Sequence, residues 1–162
     1  MGNSIKSKIT VTVGIPAYNE EKNIKFLIES LLKQKLQNAI FKEIIVISDG
    51  STDKTVEKIK TVKSRFIKLI VYKKRLGQNQ ALNQIAQVAN SDILVLTDAD
   101  VLPENELFIQ NIIQPLFASK KVIFILNASE AQLASGWQPD GKLTKAMNGR
   151  DYVALSTPLE LV

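Results

Sequence analysis

The chain has 162 residues, 45% apolar and 23% charged, with a formal net charge of +5, which fits one globular domain large enough to bury about 68–70% of its unfolded surface. It contains neither Cys nor His; disulfides, thiolate catalysis, the usual Zn sites and histidine bases are excluded, and acid–base or metal chemistry falls to carboxylates, Lys or Tyr. The start Met1-Gly2-Asn3-Ser4-Ile5-Lys6 has no signal-peptide core and no apolar run approaches the roughly 20 residues that span a bilayer, so the chain reads as cytoplasmic.

Taken in order, strand and helix patterns alternate. Ile9, Val11, Val13 and Ile15 alternate with Thr10, Thr12 and Gly14, the period of a strand that Pro16 should end. From Glu20 the period changes, and Ile24, Leu27, Ile28, Leu31 and Leu32 form one apolar helical stripe, with Glu20 and Glu21 expected in its first turn, where acids suit the dipole. Residues 43–48 read as a buried strand. The turn Asp49-Gly50-Ser51-Thr52-Asp53 offers Ser51 or Thr52 as the cap of a helix carrying Val56, Ile59 and Val62. A third strand is expected over 66–72 and a third helix over 77–89, with Ala81, Leu82, Ile85, Ala86 and Ala89 inward. Ile93-Leu94-Val95-Leu96 is the fourth strand. Pro103 suits the first position of a helix with Leu107, Phe108, Ile112 and Leu116 inward, which Pro115 should break near Gln114; a fifth strand follows over 122–126.

Alternating β and α with nearly continuous apolar strands predicts a mostly parallel sheet with helices on both faces, whose ligand sits beyond the carboxyl ends of the strands. Three polar segments, 16–20, 49–53 and 98–100, follow strands and converge on that edge. In extended chain Asp98 and Asp100 would face one ligand. Two carboxylates so close call for a cation or a shared proton, and Mg²⁺ and Mn²⁺ take oxygen ligands that substrate phosphates can complete. A lone Asp-x-Asp also fits a polar loop capping the next helix. Neither Gly-x-Gly-x-x-Gly nor a P-loop is present. Lys54 to Arg75 holds nine basic residues and one acid, Glu57, a cluster that fits a solvated face and could also attract phosphates or the inner face of an anionic membrane. Aromatic residues are sparse and not interleaved with it, which argues against nucleic acid.

Four blocks carry a resemblance: residues 13–21 (Val13-Gly14-Ile15-Pro16-Ala17-Tyr18-Asn19-Glu20-Glu21), 44–55 with Asp49-Gly50-Ser51-Thr52-Asp53, Arg75-Leu76-Gly77 with Ala81-Leu82-Asn83, and Asp98-Ala99-Asp100. In order and spacing they resemble family 2 glycosyltransferases. The resemblance implies a GT-A fold, a Rossmann-like three-layer sandwich. It also implies a UDP- or GDP-sugar donor, Mn²⁺ or Mg²⁺, and inverting transfer to a saccharide, lipid or protein acceptor, as in polysaccharide and cell-envelope synthesis. By the same resemblance Pro16, Ala17 and Tyr18 line the base and ribose pocket with Glu20 nearby, and Asp49 accepts from the base. Arg75 approaches the diphosphate, Gly77 and Ala99 belong to the donor-binding set, Asp98 lies near the ribose or metal shell, and Asp100 binds the metal, with Asp98 as its companion. Ser48 stands where many members have an acid, and Gln78 where polymer-forming members often carry Lys. No acidic pair that could supply a base follows Asp100. The reading is one domain over 1–162, a donor core over 9–126 and a shortened acceptor side over 127–162. A catalytically silent nucleotide-sugar-binding module is the alternative.

Overall fold

The computed structural model describes residues 8–114 and the backbone of 123–129 and 151–157. In chain order the described elements are β1 (Ile9–Ala17), α1 (Ile24–Leu32), β2 (Ala39–Asp49), α2 (Thr55–Thr61), β3 (Ile67–Tyr72), α3 (Gln78–Val88), β4 (Ile93–Leu96), α4 (Phe108–Ile113), β5 (Ile123–Ser129) and β6 (Asp151–Thr157). The strands pair in parallel in the order β3-β2-β1-β4-β5-β6. The order reverses between β1 and β4, which leaves a crevice at their carboxyl ends.

Strand alternation sends side chains into two cores. Val11, Val13, Ile15 and Ala17 of β1 meet Ile44 and Val46 of β2 and the buried faces of α1, α2 and α4. On the other face Ile45, Ile47, Leu94 and Leu96 pack against Ala81, Ile85 and Ala86 of α3, giving three layers. Each fully buried Ile or Leu contributes roughly 1.5–3 kcal/mol. Gly14 is the close-approach point: a Cβ there would lie 2.4 Å from Ile85 Cγ2 and 2.8 Å from Leu96 Cδ2. The period-two pattern of β1 thus belongs to a strand covered on both faces, with Thr12 also fully buried. Among the described residues no helix is long and apolar enough to cross a membrane.

Several expected boundaries move. Pro16 does not end β1, which pairs with β2 through Pro16↔Ile47 and Ala17↔Ser48. Gly14 O accepts from Thr97 N on the β4 side; Pro16, two residues on, turns its donorless nitrogen to that same side, beyond the last β1–β4 pair, Gly14↔Leu96, where no ladder bond is lost. α1 begins at Ile24, after a separate turn in which Glu20 O accepts from Asn23 N and Ile24 N, so Glu20 and Glu21 precede the helix. Neither Ser51 nor Thr52 caps α2; Asp53 Oδ1 takes the Thr55 amide and hydroxyl instead. Pro103 stays in a loop. Asn105 takes the Leu107 amide on its side chain and that of Phe108 on its carbonyl, and α4 starts late with Ile109 and Ile113 buried and Leu107 exposed. The helix ends at Ile113 as the Pro115 position implied; Leu116 lies outside the described residues. β6 was not anticipated from the sequence.

Candidate functional site

Four loops leave the carboxyl ends of β1, β2, β3 and β4, and the first two are laced together. Asn19, at φ 56°, donates its amide to Ser51 Oγ and accepts the Thr52 amide on Oδ1 at 2.8 Å. Glu20 N donates to Thr55 Oγ1 at 2.7 Å, Glu21 N to Asp53 Oδ2, and Lys54 N to Glu21 Oε2. Beneath them the Ser48 hydroxyl donates to Ser51. The Asn19 side chain satisfies a turn amide of the neighbouring loop, and Asn is among the few residues that visit the left-handed region routinely.

The third loop rests on the end of β2. Asp49 is buried, and its Oδ1 and Oδ2 accept the amides of Leu76 and Gly77 at 2.7 and 2.8 Å. The fourth loop is a turn rather than extended chain, with Val101 N reaching back to Asp98 O. Ala99 tucks into the core between the two aspartates. This anchor, and not the alternation of a strand, brings Asp98 and Asp100 to the same place.

Between the loops lies a cleft of about 330 Å³ lined by Pro16, Ala17, Tyr18, Glu20, Asp49, Arg75, Gln78, Asp98, Ala99 and Asp100. All of these except Gln78 were expected site residues. Gly77, also expected, is absent from the lining; it donates to Asp49 and, at φ 99°, opens α3. Gln78 takes its place in the wall, its Nε2 donating to Asp98 Oδ1 at 3.1 Å. Its position one residue after Gly77 was noticed in the sequence only as a departure from Lys. Arg75 covers Tyr18, its Cζ 3.9 Å from the ring centroid, a cation–π contact.

The far wall is acidic. Burial first, then the charges of Asp100 and Glu20, push the Asp98 carboxyl above its ordinary range. A divalent cation would reverse that cost, and hard oxygen donors suit Mn²⁺ or Mg²⁺. Among the described residues no group of three or more acidic side chains could hold a metal ion; Asp98, Asp100 and Glu20 are the carboxylates of this wall. Burial and the Asp49 charge likewise raise the Tyr72 hydroxyl. At Asp53 burial works in the same upward direction, but the bonds from the Thr55 side chain and the Thr55 and Glu21 amides outweigh it and hold the carboxyl low.

The sequence model described as Glycosyl transferase family 2 matches residues 12–154. The chain belongs to that family. Glucosyl-3-phosphoglycerate synthase of Mycobacterium tuberculosis is 31% identical over 121 residues, which cover 72% of this family 2 chain and 37% of the synthase. The chain spans about a third of the length of the curated relatives it matches. A crystal structure of that synthase in complex with Mn²⁺ and uridine-diphosphate-glucose superposes with a TM-score of 0.60 at 24% identity, over 79% of this chain and 46% of the other. Mannosyltransferase PcManGT from Pyrobaculum calidifontis, in complex with GDP-Man and Mn²⁺, gives a TM-score of 0.66 at 21% identity, over 94% and 56%. The layered sheet of the family 2 chain is therefore the GT-A arrangement that the resemblance implied.

Proposed function

We propose that this family 2 chain binds a nucleotide-diphosphate sugar, UDP- or GDP-linked, in the cleft and takes part in transferring the sugar, with inversion, to an acceptor hydroxyl. The observation that carries the reading is the convergence of Tyr18, Asp49, Arg75, Asp98 and Asp100 on one cleft at the switch between β1 and β4. Tyr18, with Pro16 and Ala17, supplies an apolar wall for base and ribose. Each oxygen of Asp49 accepts one backbone amide and keeps a second lone pair for a base N–H. Arg75 exchanges the Tyr18 ring for the diphosphate, where a guanidinium suits paired phosphate oxygens.

Asp100, with Asp98 beside it, would hold Mn²⁺ or Mg²⁺ together with diphosphate oxygens. When bound, the cation supplies Lewis-acid stabilisation of the departing nucleoside diphosphate. Gln78 holds Asp98 in place and faces the phosphate end without charge. The relatives support the reading: two solved neighbours are complexes with a nucleotide sugar and Mn²⁺.

Calorimetric titration of UDP-glucose and GDP-mannose with Mn²⁺ or Mg²⁺, in the native chain and in Asp100→Ala, tests the proposal. Metal-dependent binding that the variant loses is expected. Equal binding, or none in folded protein, overturns it, and binding without sugar transfer or donor hydrolysis reduces the chain to a nucleotide-sugar-binding module.

A further inference from the structure

We infer that Asp49 and Gly50 form a clamp that sets the position of Arg75, which makes Asp49 a positioning residue for the phosphate end of the cleft in addition to a neighbour of the base. The inference deepens the donor reading and rests on it for its ligand arm. Asp49 is 3% exposed and closes β2. Its two oxygens are spread over consecutive amides, Leu76 at 2.7 Å and Gly77 at 2.8 Å, so the peptide units directly after Arg75 are fixed by charge-assisted bonds.

Gly50 grips the same loop from the other side. Its φ is +70°, and a Cβ there would lie 2.3 Å from Arg75 N and 2.6 Å from the Lys74 carbonyl carbon. Both neighbours are backbone and cannot yield as a flexible side chain would. Only glycine satisfies the dihedral and the contact together. The Arg75 side chain is exposed and free to leave Tyr18, while its backbone is held. A shift of the β2 end therefore carries Arg75 with it, and the two ends of the cleft behave as one unit.

The loop contains Lys73, Lys74 and Arg75, so trypsin reports its opening without any ligand. In Gly50→Ala and Asp49→Asn, cleavage at these residues should rise about tenfold or more, because local opening governs attack on a held loop. Cleavage at Lys58 and Lys60 of α2 should stay unchanged. The second arm measures UDP and GDP affinity with Mn²⁺: Arg75→Ala should weaken binding in the native background and have little further effect in Gly50→Ala. Native-like cleavage of the loop in both variants, acceleration at every site alike, or an equal Arg75→Ala effect in both backgrounds would overturn the clamp. If the native chain binds neither nucleotide, the donor reading fails, and the trypsin arm still decides the clamp.

Discussion

The two banks of the cleft are built on opposite terms. On the bank formed by the β1 and β2 loops, carboxylate, hydroxyl and amide groups are matched: Asp53 receives Thr55 and Glu21, Thr55 receives Glu20, and Asn19 receives Thr52. On the bank formed by the β4 loop, Asp98 has among the described residues one donor, Gln78, and two negative neighbours, Asp100 and Glu20. Satisfied polar networks fix geometry, whereas uncompensated charge invites a ligand of opposite sign. The bank proposed for the base is rigid before anything binds, and the bank proposed for the phosphates is completed by its ligand.

That contrast is open to direct attack. Asp100→Ala should lower metal-dependent donor affinity about a hundredfold, roughly 2.8 kcal/mol at 1.4 per factor of ten, yet leave thermal stability of the metal-free protein unchanged or slightly raised, since a repulsive charge beside Asp98 is gone. Calorimetry and a melting curve read the two effects separately. Thr55→Val should do the reverse. It strands the Glu20 amide and costs about 1–3 kcal/mol of stability in denaturant titration, with a loss of binding only as the loop loosens. If both variants change stability alike, the banks do not differ.

Asn19 gives a finer test. Gly at this position keeps the left-handed backbone and loses the Thr52 bond; Ala loses the bond and adds about 1–2 kcal/mol of backbone strain. Ala should therefore be the less stable by that margin, and equal melting points would show that Asn19 is not strained. The smallest effect concerns acid. Asp53 is held below its ordinary value, 3.8; a lowered carboxylate contributes stability that is fully present above the unfolded value and lost as pH falls through the folded one. Asp53→Asn should flatten the fall in stability below about pH 4, whereas an unchanged acid limb would mean that its hydrogen bonds do not persist in solution.

The sequence disclosed what repeats and withheld what reaches across the chain. Apolar periodicity was enough to outline five strands and four helices and to bring the polar segments after β1, β2 and β4 to one edge. Position-by-position resemblance then named nine of the ten residues that line the cleft. The lacing of the first two loops was hidden because its bonds run from backbone amides to side-chain oxygens 32–35 positions away, and no period marks such pairs. Gly50 read as an ordinary turn glycine, since the atoms that crowd it belong to residues 74 and 75. Pro103 was the one start read for α4, which begins instead at Phe108, where Gln34 and Gln37 dock onto Ile109 and Gln110. Pro16 misled for a geometric reason, because whether proline stops a strand depends on which neighbour its nitrogen faces.

That neighbour has already ended. β1 outlasts its pairing with β4 by three residues, Ile15 to Ala17, which at about 3.3 Å each leaves a ledge roughly 10 Å deep. A bare strand edge normally attracts another strand. Here the middle residue of the ledge is proline, with no amide to offer an intruding chain. Pro16 thus does two things at once: it lines the cleft and it leaves the free side of the ledge without a donor.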